Sequence, residues 1–294
     1  MLCIVGADGF FGSYFQKHIL TSHPEEKLLC FNHTDKVFPD FPNKTDEFFE
    51  LHNSDSVKQA AEILSGYHDI KILFLASVHN PDTVKKDPKK AEYINTVCYE
   101  SFLKEISNLN IKKLVYSSSD TVYGESIDGH IFSEKDPTEP INIYGRQKLL
   151  AEEITHGYGF TVARYSYMCA PSVTAKKLHF FDEIASKLIK GEKVYMLTDW
   201  IRSSLSYQTA GEITYKLLMS DCEENTVNIC ADTPTSKYDI GIKIAEHIKC
   251  DPSLVIPCTM EELGIFTEKR ANTILTDNAL SKKMGIAENT ELIF

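Results

Sequence analysis

Short apolar runs alternate with longer amphipathic segments over the first 165 or so residues. The runs are "LCIVGA" (2–7), "KLLCFN" (27–32), "IKILFLAS" (70–77), "IKKLVYSSS" (111–119) and "FTVARYS" (160–166). Near-continuous apolar stretches of this length read as strands buried on both faces. Between them, "DSVKQAAEILSGY" (55–67) and "AEYINTVCYESFLKEISNLN" (91–110) place apolar residues three and four apart, the period of a half-buried helix. Strand and helix in strict alternation predict an α/β fold, with parallel strands joined by helical crossovers into a doubly wound sheet. Past residue 166 the rhythm loosens. There "HFFDEIASKLIKG" and "KYDIGIKIAEHIK" read as helices and "NTVNICA" as a strand. The expected division is a first domain over 1–165 and a smaller, mixed α/β part over 166–294, with some segments returning to the first domain.

Where the first apolar run ends, near Val5, the chain reads "GADGFFG", with Gly6, Gly9 and Gly12 three apart and a helix expected from about Phe10. Glycine lets backbone N–H groups approach a ligand closely. The helix end behind it carries about half a positive charge, suited to a pyrophosphate. The spacing G-x-x-G-x-x-G differs from the G-x-G-x-x-G dinucleotide fingerprint.

A second group of residues bears on chemistry. In "INIYGRQKLLAEE", Tyr144 and Lys148 lie one helical turn apart on a common face. An ammonium beside a phenol is expected to lower its pKa and fit it for proton transfer. Upstream, "KKLVYSSSDTVYGE" runs from a buried strand into a polar turn, where Ser119 can donate a hydrogen bond to a substrate oxygen.

Together, the glycine loop and the Ser119, Tyr144, Lys148 order resemble the extended short-chain dehydrogenase/reductase superfamily, the epimerase/dehydratase branch. "EPINIYGRQKLLAEE" and "RANTILTDNALSKKMGI" bring the chain nearest to dTDP-4-dehydrorhamnose reductase-like proteins. The resemblance implies a Rossmann-type first domain and a C-terminal substrate-binding part. It implies a cofactor, NAD or NADP, held by Gly6, Gly9, Phe10, Phe11, Gly12, Ala76, Ser77, Asn95, Tyr144 and Lys148. It further implies a catalytic set of Ser119, Tyr144 and Lys148 and no metal. The cofactor ribose should be read near Asn32, about 20 residues after Gly12; no carboxylate stands at that position, which favours NADP. Asp120, Arg202 and Arg270 are the expected substrate contacts, the arginines suited to a nucleotide diphosphate.

Nucleotide-sugar dehydratases carry Thr-Asp-Glu where this chain has Ser119-Asp120-Thr121, so the carboxylate base of that reaction is missing. The resemblance favours a reductase of nucleotide-linked 4-keto-6-deoxy sugars. A 4-epimerase with tightly bound NAD is the alternative, since "GFFG" is closer to the epimerases' "GFIG" than to the reductases' "GQLG". A non-catalytic cofactor-binding regulatory subunit is the alternative of another class.

Charge and cysteines narrow the setting. Asp plus Glu number 42 against 31 Lys plus Arg, a formal net charge of -11, which speaks against nucleic acid or an anionic membrane as partner. No apolar run reaches the ~20 residues that span a bilayer. The eight cysteines form no C-x-x-C pair and mostly sit in apolar runs, so they read as reduced, buried thiols of a cytoplasmic protein. The lysines from Lys85 to Lys90 read as a solvated face, Trp200 as a packing residue, and a homodimer is the default assembly.

Overall fold

The computed structural model describes residues 1–79, 81–174, 178–221, 223–264 and 271–294. Its centre is a seven-stranded, all-parallel sheet. Five strands are β1 (Leu2–Val5), β2 (Leu28–Asn32), β3 (Lys44–Phe48), β4 (Ile70–Phe74) and β5 (Ile111–Ser119). The strands Thr161–Tyr165 and Thr226–Ile229 complete it, giving the spatial order β3, β2, β1, β4, β5, 161–165, 226–229. This is the Rossmann-type order, and it reverses direction between β1 and β4.

Alternation of side chains across the sheet explains why its inner strands carry apolar residues toward both faces. Leu2, Ile4, Leu28 and Cys30 face one layer, built from α1 (Phe10–Ser22) and a helix over Tyr207–Met219. Cys3, Val5, Leu29 and Phe31 face the other, against α2 (Ser54–Ser65) and α5 (Tyr99–Ile106). Two short helices, α3 (Pro81–Lys86) and α4 (Pro88–Glu92), lead into α5. Between α4 and α5 the chain passes through a π-helical segment, Tyr93–Cys98. Helix α6 (Ile143–Gly157) starts on an Asn142 cap, whose side chain accepts from Gly145 N at 2.8 Å.

The remaining chain forms a second core. Helices α7 (Phe180–Ile189) and α9 (Lys237–His247) bury Phe181, Ile184, Leu188, Ile240 and Ile244 against the paired strands 194–197 and 255–258. The helix Tyr207–Met219, α8, belongs instead to the first core, beside α1. A small four-stranded sheet, in which Ile201–Arg202 lies between Thr235–Ser236 and Thr273–Thr276, sits near the ends of the main strands. Of the described cysteines, all are unpaired; six are buried and Cys250 is partly so. No helix among the described residues is long and apolar enough to cross a membrane.

Candidate active site

A cavity of about 1400 Å³ opens where the sheet order reverses, at the carboxyl ends of the strands. Single-ligand pockets run to roughly 1,000 Å³, so this one has room for two sizeable ligands. One wall is the turn after β1 and the start of α1; the opposite wall comes from the second core.

The glycine turn is built for close approach. Gly6 has φ +87°, and a Cβ there would stand 2.9 Å from the Ala76 backbone nitrogen. A Cβ on Gly12 would meet the carbonyl oxygens of Gly6 and Ala7 at 2.6 Å. Gly9 caps α1 without any side-chain hydrogen bond, leaving that helix end to an anion. Gly6, Gly9, Phe10, Phe11, Gly12, Ala76 and Ser77 all line the cavity. Phe10 stacks on His179, ring centroids 4.3 Å apart, and so bridges the two walls. This cradle fits the pyrophosphate of a dinucleotide.

Ser119, Asp120, Tyr144 and Lys148 all line the cavity. Buried Lys148 donates to Ser117 O at 2.7 Å and lies 3.3 Å from Tyr116 Oη and 3.4 Å from Ser77 Oγ. Burial pushes its pKa down to about 7. The Tyr144 phenol is raised well above its ordinary value by burial and by the charge of Asp120; a hydrogen bond with Ser119 offsets this only in part. That corrects the expectation that Lys148 lowers it. The ammonium sits 5.8 Å from the Tyr144 ring centroid, tied to the β5 backbone. Tyr144 therefore keeps its proton.

Ser119 Oγ accepts from the Thr121 hydroxyl at 3.0 Å and lies 3.3 Å from Asp120 Oδ1. Asp120 is buried, its carboxyl raised by desolvation and partly restored by Arg202. Beneath the site, Ser118 donates to Glu152, which holds Arg164 through Nε at 3.0 Å and Nη2 at 2.7 Å.

Two expected contacts lie off the cavity wall, and a third is engaged by backbone carbonyls. Asn32 is buried outside the cavity, its amide donating to Asp46 Oδ1 at 2.9 Å and Cys30 O at 3.2 Å. Asn95 is likewise buried off the wall; it accepts from Val78 N at 2.7 Å and donates to Gln147 Oε1 at 2.9 Å, tying the turn after β4 to α6. Arg202 does line the cavity, but its guanidinium donates to the carbonyls of Ile201, Ala271 and Asn272, each at 2.7 Å, and stacks on Trp200. Arg270 lies outside the described residues.

Two cavity residues escape sequence reasoning. Lys237 sits within 4.0, 3.9 and 4.5 Å of the Tyr167, Phe180 and Trp200 ring centroids. Its ammonium donates to Tyr167 Oη at 2.9 Å, and burial pushes its pKa down to about 7. No carboxylate among the described residues pairs with it. A sequence signal exists: a lysine at the first position of a helix opposes the macrodipole. The other residue is Asp8, a carboxylate inside the glycine loop.

The chain's likeness to known proteins agrees with this geometry. The family model described as RmlD substrate binding domain matches residues 1–290. GDP-6-deoxy-D-talose 4-dehydrogenase of Aggregatibacter actinomycetemcomitans is 25% identical over 248 residues, covering 81% of this chain and 77% of that protein. Among solved structures, dTDP-4-dehydrorhamnose reductase from Bacillus anthracis str. Ames, in complex with NADP, superposes with a TM-score of 0.82 at 19% identity, covering 99% of this chain and 94% of that one. dTDP-glucose 4,6-dehydratase from the same organism, in complex with NAD, gives 0.78 at 18% identity, covering 99% and 92%.

Proposed function

The chain belongs to the RmlD substrate-binding domain family and is a nicotinamide-dependent oxidoreductase of the extended short-chain dehydrogenase/reductase superfamily; from that premise we propose that it reduces the 4-keto group of a nucleotide-linked 6-deoxy sugar. The observation that carries this reading is that Ser119, Tyr144 and Lys148 line, with the glycine turn, one cavity with room for both a dinucleotide and a nucleotide sugar. A ketone becoming an alcohol needs a proton donor at its oxygen, and a phenol held neutral by burial and by Asp120 is one. The bound reduced nicotinamide supplies the hydride.

Gly6, Gly9 and Gly12 hold the dinucleotide's pyrophosphate, and Lys148 holds the ribose next to the reacting ring. Ser119 turns its hydroxyl toward the substrate oxygen and orients it. Tyr144 gives that oxygen its proton as the carbon is reduced; the proton returns to the phenolate from solvent once product leaves. Thr121 supplies no carboxylate, so nothing at that position abstracts the proton a dehydration requires.

Lys237 takes the substrate's phosphate. A half-buried lysine whose ammonium lies among three rings, with the Tyr167 hydroxyl as its hydrogen-bond partner among the described residues, is under-satisfied until an anion arrives. Lys237→Met keeps the side chain's bulk against the rings and should raise KM for the nucleotide sugar by about 10–100-fold, the worth of a charged hydrogen bond, with kcat little changed. Steady-state kinetics at saturating cofactor decide it: an unchanged KM removes Lys237 from the substrate site.

The reductase reading is tested by the fall in near-ultraviolet absorbance of NADH or NADPH mixed with a dTDP-linked 4-keto-6-deoxyhexose. Stoichiometric oxidation is expected. No oxidation, with the keto sugar recovered unchanged, contradicts it.

A further inference from the structure

We propose that Asp8 selects NAD over NADP, doing from the glycine loop what an acid at the end of β2 would do. The proposal rests on the reading of the cavity as a nicotinamide dinucleotide site. An acid after β2 commonly accepts the ribose 2′-hydroxyl of NAD; here the β2 residue in question is Asn32, turned away and bonded to Asp46 and Cys30. The cavity wall at that end carries Asp8 and His33.

The Asp8 carboxylate is fixed by the very loop that follows β2. It accepts from His33 N at 3.1 Å, from Thr34 N at 3.1 Å and from the Thr34 hydroxyl at 2.6 Å. Two consequences follow for a ribose placed beside it. First, the two backbone amides and the hydroxyl that could have cradled a 2′-phosphate are already turned onto an anion. Second, that anion is 7% exposed and held in position by these bonds, so an arriving phosphate meets a fixed like charge. A ribose 2′-hydroxyl carries no charge and can donate to such a carboxylate; a 2′-phosphate cannot. The lysines that follow β2 offer no counterweight, since Lys36 pairs with Asp40 at 2.5 Å and Lys44 with Asp46. On this proposal the acid missing at position 32 stands 24 positions earlier in the chain, and the cofactor favoured is NAD rather than the NADP expected from position 32.

The test is direct binding, with calorimetric titration of the intact protein by NADH and by NADPH. The native protein should bind NADH about tenfold or more tighter than NADPH. Asp8→Asn, which keeps an acceptor for the loop amides and removes the charge, should bring the two affinities within about threefold, chiefly by a gain for NADPH. Asp8→Ser is the second variant, and thermal melts establish that each is folded. Native preference for NADPH, equal affinities, or a ratio that neither folded variant moves would overturn the proposal while leaving the dinucleotide site intact. Binding of neither dinucleotide would overturn the cofactor reading and the proposal with it.

Discussion

Tyr144→Phe should lower kcat for ketone reduction by about 10²–10⁴-fold, the range a positioned general acid contributes. The substitution removes one oxygen and keeps the ring against the cavity wall, so nucleotide and sugar binding should change little. Measuring kcat and the dinucleotide Kd together separates the two effects: the proposal requires the first to collapse and the second to stay. The pH profile adds a second signature. Burial and the neighbouring Asp120 charge raise the phenol above its ordinary value, so Tyr144 stays protonated throughout the neutral range. Reduction should therefore not decline through loss of this proton below the ordinary tyrosine pKa of about 10. A rate that falls between about pH 7 and 8 in the native enzyme, and not in Tyr144→Phe, would mean that the phenol titrates near neutrality after all.

Glu152→Ala should cost the largest share of stability of any single change near the site. Helix α6 presents Tyr144, Lys148 and Glu152 four residues apart, and the last of these is the counter-charge of buried Arg164, with Ser118 as a further donor. Arg164 also donates to Tyr123 Oη at 2.9 Å, which in turn donates to Asn228 at 2.8 Å. Removing the carboxylate leaves a buried guanidinium unpaired, a loss of about 3–5 kcal/mol and a fall in Tm on the order of 10 °C. Replacing both partners, Glu152→Met with Arg164→Leu, should recover much of that, because no charge is then stranded. Thermal unfolding of the single and double variants tests this. A Glu152→Ala protein as stable as the native one would show that the pair contributes nothing under the active site.

The strands buried on both faces were readable from their apolar runs because a parallel sheet covered by helices imposes the same demand at every position. β3, "KTDEF", lies at the sheet's edge with only Lys44 fully buried, so it has no such run and is silent in the pattern. Helix α8 was missed because it is flanked by no glycine or proline and opens on "YQTAGE", which lacks a continuous apolar stripe. In the site, Ser119, Tyr144 and Lys148 were legible because they hang on one strand end and one helix face, where spacing fixes geometry. Asn32, Arg202 and Asp8 were not. Which residue faces the ribose depends on the path of the loop after β2, and where a guanidinium spends its donors depends on carbonyls about 70 positions away. Lys148 shows the limit within a legible motif: its distance to Tyr144 along the helix was readable, while its capture by the Ser117 carbonyl was not.

The most direct test of ketone reduction is isotopic. The native enzyme is given NADH carrying deuterium at the transferable position and a dTDP-linked 4-keto-6-deoxyhexose, and the sugar product is examined by mass and nuclear magnetic resonance. One deuterium at C4 of the product sugar for each NADH oxidised is the result the reductase reading predicts. A product that gains no deuterium, with the cofactor unconsumed, would contradict it and leave the Ser119–Tyr144–Lys148 set serving another reaction.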